Sequence, residues 1–271
     1  MILNFIRQFQ LAALAVTVAS CASLQPEQRA TTQFGSFSYS SAGNGSPTVV
    51  FESGLGDGRE AWQPLFADVG KFTSVFAYDR GGYGDSRATV EDRSAREIVE
   101  ELRALLKAAH VEPPYVLVGH SIGGLYANLF ARTHPDEIAG VVLVDARPPD
   151  FSERCKAAGA LVCAPPKWLM PFVGGGSMGE YKWAPKGMAQ VRDAAPFPPV
   201  PLVVVTGTHR PFEGEAFNNL WLETQAELSR LSPYGRHVIC DHCGHYVHQD
   251  DPALVVEAIR DVVERSRAAS R

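Results

Sequence analysis

Between a β-rich apolar run at residues 115–118 and an apolar helical run at 122–132, the chain has only Gly119, His120 and Ser121 in which to reverse direction. A turn that tight has no room for side chains at its flanks, and Gly119 and Gly123 meet that demand. The serine between them is lifted above the strand end. The helix that follows points free N–H groups and its positive dipole end at the same spot. Glycine-x-serine-x-glycine alone is a weak pattern, but a strand before it and a helix after it mark Ser121 as a nucleophile.

Other apolar runs, at residues 48–51, 74–78, 140–144, 202–205 and 237–239, end in Gly, Asp or polar turns and read as buried strands, with a weaker strand at 37–39. Helical patterns lie between them. Ser94 and Glu97 form a capping box ahead of Ile98, Leu102, Leu105, Leu106 and Ala109. Residues 218–231 predict another helix, and Asp251 as N-cap with Pro252 at the first position opens a last one. This alternation predicts an α/β fold, a mostly parallel central sheet flanked by helices, in one domain over residues 34–268. Residues 147–200, rich in Pro, Gly and Ala and without a long periodic helix, break the rhythm and are expected to form an inserted lid. The 271 residues are 45% hydrophobic and 20% charged, enough for a substantial core and too apolar for disorder. A net charge of −5 offers no cationic footprint for nucleic acid.

A serine hydroxyl needs a base. His120 lies inside the turn itself, whereas His245 stands in a loop between the last strand and the last helix, over the edge of the sheet where Ser121 emerges. His245 is therefore the expected base, and His248 a packing neighbour. A developing oxyanion needs donors. The Gly-rich bend Ser53-Gly54-Leu55-Gly56 follows an early strand, so the backbone N–H groups of Leu55 and Ile122 are the expected oxyanion hole.

The set and chain order of these motifs resemble the α/β-hydrolase superfamily over most of the chain. Tyr78-Asp79-Arg80-Gly81-Gly82-Tyr83-Gly84-Asp85-Ser86 is similar to the loop after its fourth strand, Gly244-His245 to its histidine loop, and the bend at 53–56 to its oxyanion segment, with Ser53 in place of the usual His. The resemblance implies a triad whose acid most often follows the seventh strand, here 201–205. The next acidic residues there are Glu213 and Glu215. Asp145, at the end of the sixth strand, is the alternative found in some members, and a carboxylate at a buried strand tip can orient His245. Asp145 is the favoured acid, with Glu213 and Glu215 left open. By the same count, the lid follows the sixth strand. Dehalogenases and epoxide hydrolases of the superfamily carry Asp at the turn, so Ser121 points to acyl transfer: a carboxylic ester first, with lactone, amide or C–C substrates as alternatives. Trp168, Leu169, Met170, Phe172 and Trp183 in the lid favour an acyl or aromatic small-molecule substrate over a strongly charged one, or form a core of the lid itself. No cofactor is expected.

In front of the domain, residues 1–20 read as an export signal, with Arg7 before an apolar stretch too short to span a bilayer. Val18-Ala19-Ser20-Cys21 is similar to a bacterial lipoprotein box, which implies lipidation of Cys21, a membrane anchor and a periplasmic location. Residues 21–33 would then be a polar tether. In an oxidising compartment Cys155, Cys163, Cys240 and Cys243 could pair as disulfides, the last two being close for such a bond. A metal site built from Cys240, His242, Cys243, His245 and His248 lacks the usual distant ligand pair and is disfavoured. A non-catalytic exported binding module is the remaining alternative.

Overall fold

Residues apolar on both pleat faces must be covered on both sides, and the apolar runs do assemble into one twice-covered sheet. The structure, a computed structural model, describes residues 24, 27–160, 163–164, 166–167, 170–211 and 213–269. The export signal at 1–20, Cys21, Trp168 and Leu169 lie outside these residues.

The strands are β1 (Glu27–Thr32), β2 (Gly35–Ala42), β3 (Thr48–Glu52), β4 (Val75–Tyr78), β5 (Arg87–Ala88), β6 (Tyr115–His120), β7 (Ile138–Val144), β8 (Leu202–Gly207) and β9 (Gly235–Cys240). Their order across the sheet is β1-β2-β4-β3-β6-β7-β8-β9, with β5 beside β2. Pairing is antiparallel as far as β4 and parallel from β4 onward. The helices are α1 (Gln63–Gly70), α2 (Ala95–Ala108), α3 (Ile122–Thr133), α4 (Phe151–Ala157), α5 (Met170–Val173), α6 (Ser177–Arg192), α7 (Glu215–Ser229), α8 (Val247–Asp250) and α9 (Pro252–Ala269).

Two cores result. On one face Ile98, Leu102 and Leu105 of α2 and Leu125 and Leu129 of α3 pack against Val50, Leu117 and Leu143. On the other, Leu65 and Val69 of α1 and Val255, Ile259 and Val262 of α9 cover Val49, Val116 and Val142. Alternate residues of each central strand thus serve opposite cores. Asp251 caps α9 as expected, its Oδ1 accepting the Leu254 N–H at 3.0 Å. Among the described residues, no helix is long and apolar enough to cross a membrane.

Three expectations change. The stretch read as a tether contains β1, an edge strand paired with β2 from Glu27↔Ser40 to Thr32↔Gly35. Its polar sequence reflects its position, because an edge strand with alternately exposed residues needs no apolar run. The lid does contain a long helix, the 16-residue α6. Pro185 lies inside it, and its residues serve two surroundings rather than one core, which blurs the periodicity. Ser94 begins α2 without a side-chain cap. Its Oγ instead accepts from Gln190 Nε2 of α6 at 3.3 Å. Disulfides join Cys155 to Cys163 within the lid and Cys240 to Cys243 at the end of β9.

Candidate active site

Ser121 has φ +53° and ψ −121°, a conformation that L-residues rarely adopt. Gly119 and Gly123 make the turn feasible. A Cβ on Gly119 would lie 2.6 Å from the Gly123 carbonyl oxygen, and one on Gly123 would lie 2.2 Å from that of Glu52. The turn is therefore pressed against the end of β3, which brings the bend at Leu55 beside Ser121.

The loop between β9 and α8 places His245 Nε2 at 3.0 Å from Ser121 Oγ and its Nδ1 at 2.5 Å from Asp145 Oδ2. A carboxylate only accepts, so Nδ1 carries the proton and Nε2 is free to accept from the hydroxyl. Asp145 follows β7 at φ +46°, fully buried, with its N–H donating to Val205 at 2.7 Å. Oδ1 also accepts from Trp221 Nε1 at 2.9 Å and from the Gly207 N–H at 3.3 Å, and Oδ2 from Arg210 Nη2. Of the other acids, Glu215 opens α7 exposed to solvent and Glu213 lies in the turn before it, while Asp145 occupies the Nδ1 side of His245.

His120 does more than fill the turn. Its ring lies 4.6 Å from that of His245, and Nε2 donates to the His245 carbonyl at 2.9 Å. Burial first, then the neighbouring His245, holds His120 well below the usual histidine range. Asp57 Oδ2 lies 3.9 Å from His120 Nδ1, and burial raises that carboxyl. His248 is fully buried against Trp62, ring centres 4.6 Å apart, and burial pushes it down to about 3.

Beneath the bend runs a buried ionic chain. Arg80 donates to the carbonyls of Ser53 and Gly54, each at 2.7 Å, to Glu52 at 2.8 Å, and to Glu180 of α6 at 2.6 and 3.0 Å. Burial alone would lower the Arg80 proton affinity, but Glu180 and Glu52 outweigh it and hold Arg80 well above the arginine range. Burial raises Glu52 to about 7 despite Arg80 and a 2.6 Å bond from Tyr78. Ser53, at the position of the usual His, donates to the Gly58 carbonyl and accepts from Trp62, both at 2.9 Å. Leu55 and Ile122 both border the cavity that opens at Ser121.

That cavity, about 620 Å³, lies between the turn and the lid. Of the lid apolars, Met170 lines it. Phe172 is 80% exposed, and Trp183 lies under Lys182 and Lys186. Ligand atoms of Cys240, His242, Cys243 and Asp251 lie within 4.8 Å of one another. The disulfide occupies both sulfurs, however, and a metal ligand must be a thiolate. Sequence reasoning missed Arg210, Trp221, His120 and Arg80 as partners of the site. Only Arg210 had a visible sign, a cation where the resemblance expects an acid.

The model of the alpha/beta hydrolase family matches residues 49–258. The chain belongs to that family. Among similar proteins, the uncharacterized protein YqjL of Bacillus subtilis (strain 168) is 31% identical over 221 residues, 81% of this chain and 85% of that one. The putative carbamate hydrolase RutD of Serratia proteamaculans (strain 568) is 34% identical over 104 residues, so the match spans 38% of this chain and 39% of that protein. Among solved structures, a thermophilic esterase from Thermogutta terrifontis superposes with a TM-score of 0.66 at 20% identity, covering 89% of this chain and 98% of that one. The last similarity speaks for the α/β-hydrolase fold.

Proposed function

We propose that this α/β hydrolase cleaves a carboxylic ester through an acyl-enzyme on Ser121. The observation that carries the reading is the unbroken hydrogen-bonded line from Asp145 through His245 to Ser121 Oγ, which ends in a cavity roofed by the lid. His245 Nε2 takes the hydroxyl proton as Oγ attacks the carbonyl carbon, and the resulting imidazolium is held by Asp145. The N–H groups of Leu55 and Ile122 receive the negative oxygen of the tetrahedral intermediate. The intermediate collapses as His245 passes the proton to the leaving alkoxide. A water activated by the same nitrogen then releases the acid and restores Ser121. His120, which holds the His245 carbonyl, and Arg80, which holds the carbonyls before Leu55, are positioning residues in this scheme.

Hydrolysis of 4-nitrophenyl butyrate by wild type and by Ser121→Ala tests the proposal. A loss of kcat of at least about a thousandfold in the variant is expected. Equal rates in the two proteins would sink the serine mechanism.

A further inference from the structure

The cavity beside Ser121 is lined unevenly. Leu55, Ile122, Met170, Val173 and Met188 make one part of its wall apolar, and Arg147 and Lys156 stand in another. Arg147 is anchored at both ends. Its N–H donates to the Ser121 carbonyl at 2.8 Å, and Nη2 donates to Ser152 Oγ at 2.6 Å and to the Cys163 carbonyl at 2.7 Å in the lid. Its guanidinium lies 5.0 Å from the ring centre of Phe151.

These contacts leave the charge itself unanswered. Arg59, Arg80, Arg93 and Arg210, each less than a tenth exposed, all have a carboxylate within ion-pair distance. Among the described residues Arg147 has none, and Nη1 and Nε have no hydrogen-bond acceptor. Burial pushes its guanidinium down to about 10, the sign of a cation held without a counter-charge. Lys156 of α4 likewise has no ion pair among the described residues, whereas Arg192, on the same cavity, has Glu153 at 3.6 Å. Asp57 and Glu153 also border the cavity, but neither is within ion-pair distance of Arg147. A partly desolvated cation beside Ser121, with a free donor and no paired carboxylate among the described residues, is a site for an anion that arrives with the substrate.

We propose that Arg147, with Lys156 beside the same cavity, forms a carboxylate subsite, and that the substrate is an ester whose apolar chain ends in a carboxylate remote from the scissile carbonyl. The proposal rests on the serine-hydrolase reading above. The apolar wall takes the chain, and Nη1 of the guanidinium, which Ser152 and Cys163 leave unengaged, takes the carboxylate.

The test compares initial rates on the monoethyl and diethyl esters of adipic and suberic acid by titration of released acid, with 4-nitrophenyl butyrate as a common reference. Wild type is expected to favour the monoester in kcat/KM by about tenfold or more, the size of one charge-assisted hydrogen bond. Added salt should erode that ratio. Arg147→Met should bring the ratio near one through the KM of the monoester, and Arg147→Lys should restore part of it. A wild type that prefers the diester, or hydrolyses neither while cleaving the butyrate, overturns the carboxylate subsite and leaves the serine mechanism standing. A ratio unmoved by Arg147→Met also overturns it. Should Arg147→Met fail to fold, the wild-type ratio and its salt dependence decide alone. A butyrate rate unaffected by Ser121→Ala defeats the underlying reading instead.

Discussion

Asp145 gathers four donors on two oxygens: His245 and Arg210 on one, Trp221 and Gly207 on the other. Together they fix the plane of the carboxylate so that Nδ1 of His245 meets a defined lone pair. Three of them are side-chain donors that would be stranded without it. Asp145→Asn should therefore harm both rate and stability. The amide offers His245 the wrong partner, and kcat is expected to fall by roughly 10⁴-fold. Arg210, less than a tenth exposed, would lose the one ion pair it makes among the described residues, costing about 3–5 kcal/mol. Kinetics and urea unfolding on one preparation check the two effects, and Ser121→Ala should show only the first. Asp145 was legible as a candidate because an acid at the tip of a buried strand is unusual. The choice over Glu213 and Glu215 was not, because it depends on Arg210 and Trp221, which lie 65 and 76 residues away.

Among the elements, the lid and the bend at residues 53–56 are linked through one arginine. Arg80 ties the carbonyls of Ser53 and Gly54 to Glu180 of α6, and Tyr83 bridges from Glu180 at 3.0 Å to the Gly56 N–H at 3.2 Å. α6 also docks on α2, where Gln190 Oε1 accepts from the Arg96 N–H at 2.9 Å. A helix whose own sequence supplies little periodicity is thus held by ions and hydrogen bonds. Glu180→Ala should release it. The buried Arg80 would lose a bidentate partner, at about 3–5 kcal/mol, and the bend at Leu55 would loosen, lowering kcat by about tenfold or more. Urea midpoints, kinetics and faster proteolysis between residues 151 and 195 are the readouts; an unchanged proteolysis rate would show that Glu180 does not hold the lid. The strands and α2, α3, α7 and α9 were readable because each has one period and one core to face. β1 and α6 were not, since β1 is a polar edge and α6 divides its contacts between a cavity and another helix.

At the scale of the whole molecule, two buried histidines make stability depend on pH. His248 drops to about 3 in the folded chain from 6.5, because burial penalises its charge, and His120 moves the same way. Between those values the unfolded chain binds a proton that the folded chain refuses. Stability is therefore full above about pH 6.5 and falls as pH drops toward 3, by up to about 1.4 kcal/mol per pH unit for each group. Glu52, raised to about 7, has the opposite slope between 4.5 and 7, so the informative comparison is between variants. His248→Phe keeps an aromatic ring on Trp62 and removes the proton site. Its Tm should decline less than that of wild type between pH 6.5 and 4.5, as scanning calorimetry would show; parallel curves would mean that His248 does not titrate on unfolding.

What the chain alone determined was everything that local sterics and periodicity encode: a parallel sheet covered twice, a glycine-flanked turn bearing Ser121, and a histidine loop after the last strand. The tertiary structure decided which carboxylate His245 meets, what holds the lid and which buried arginines find a carboxylate. Those outcomes depend on contacts such as Arg80 with Glu180, 100 residues apart. No window of sequence contains both partners, and only the packed sheet sets their distance.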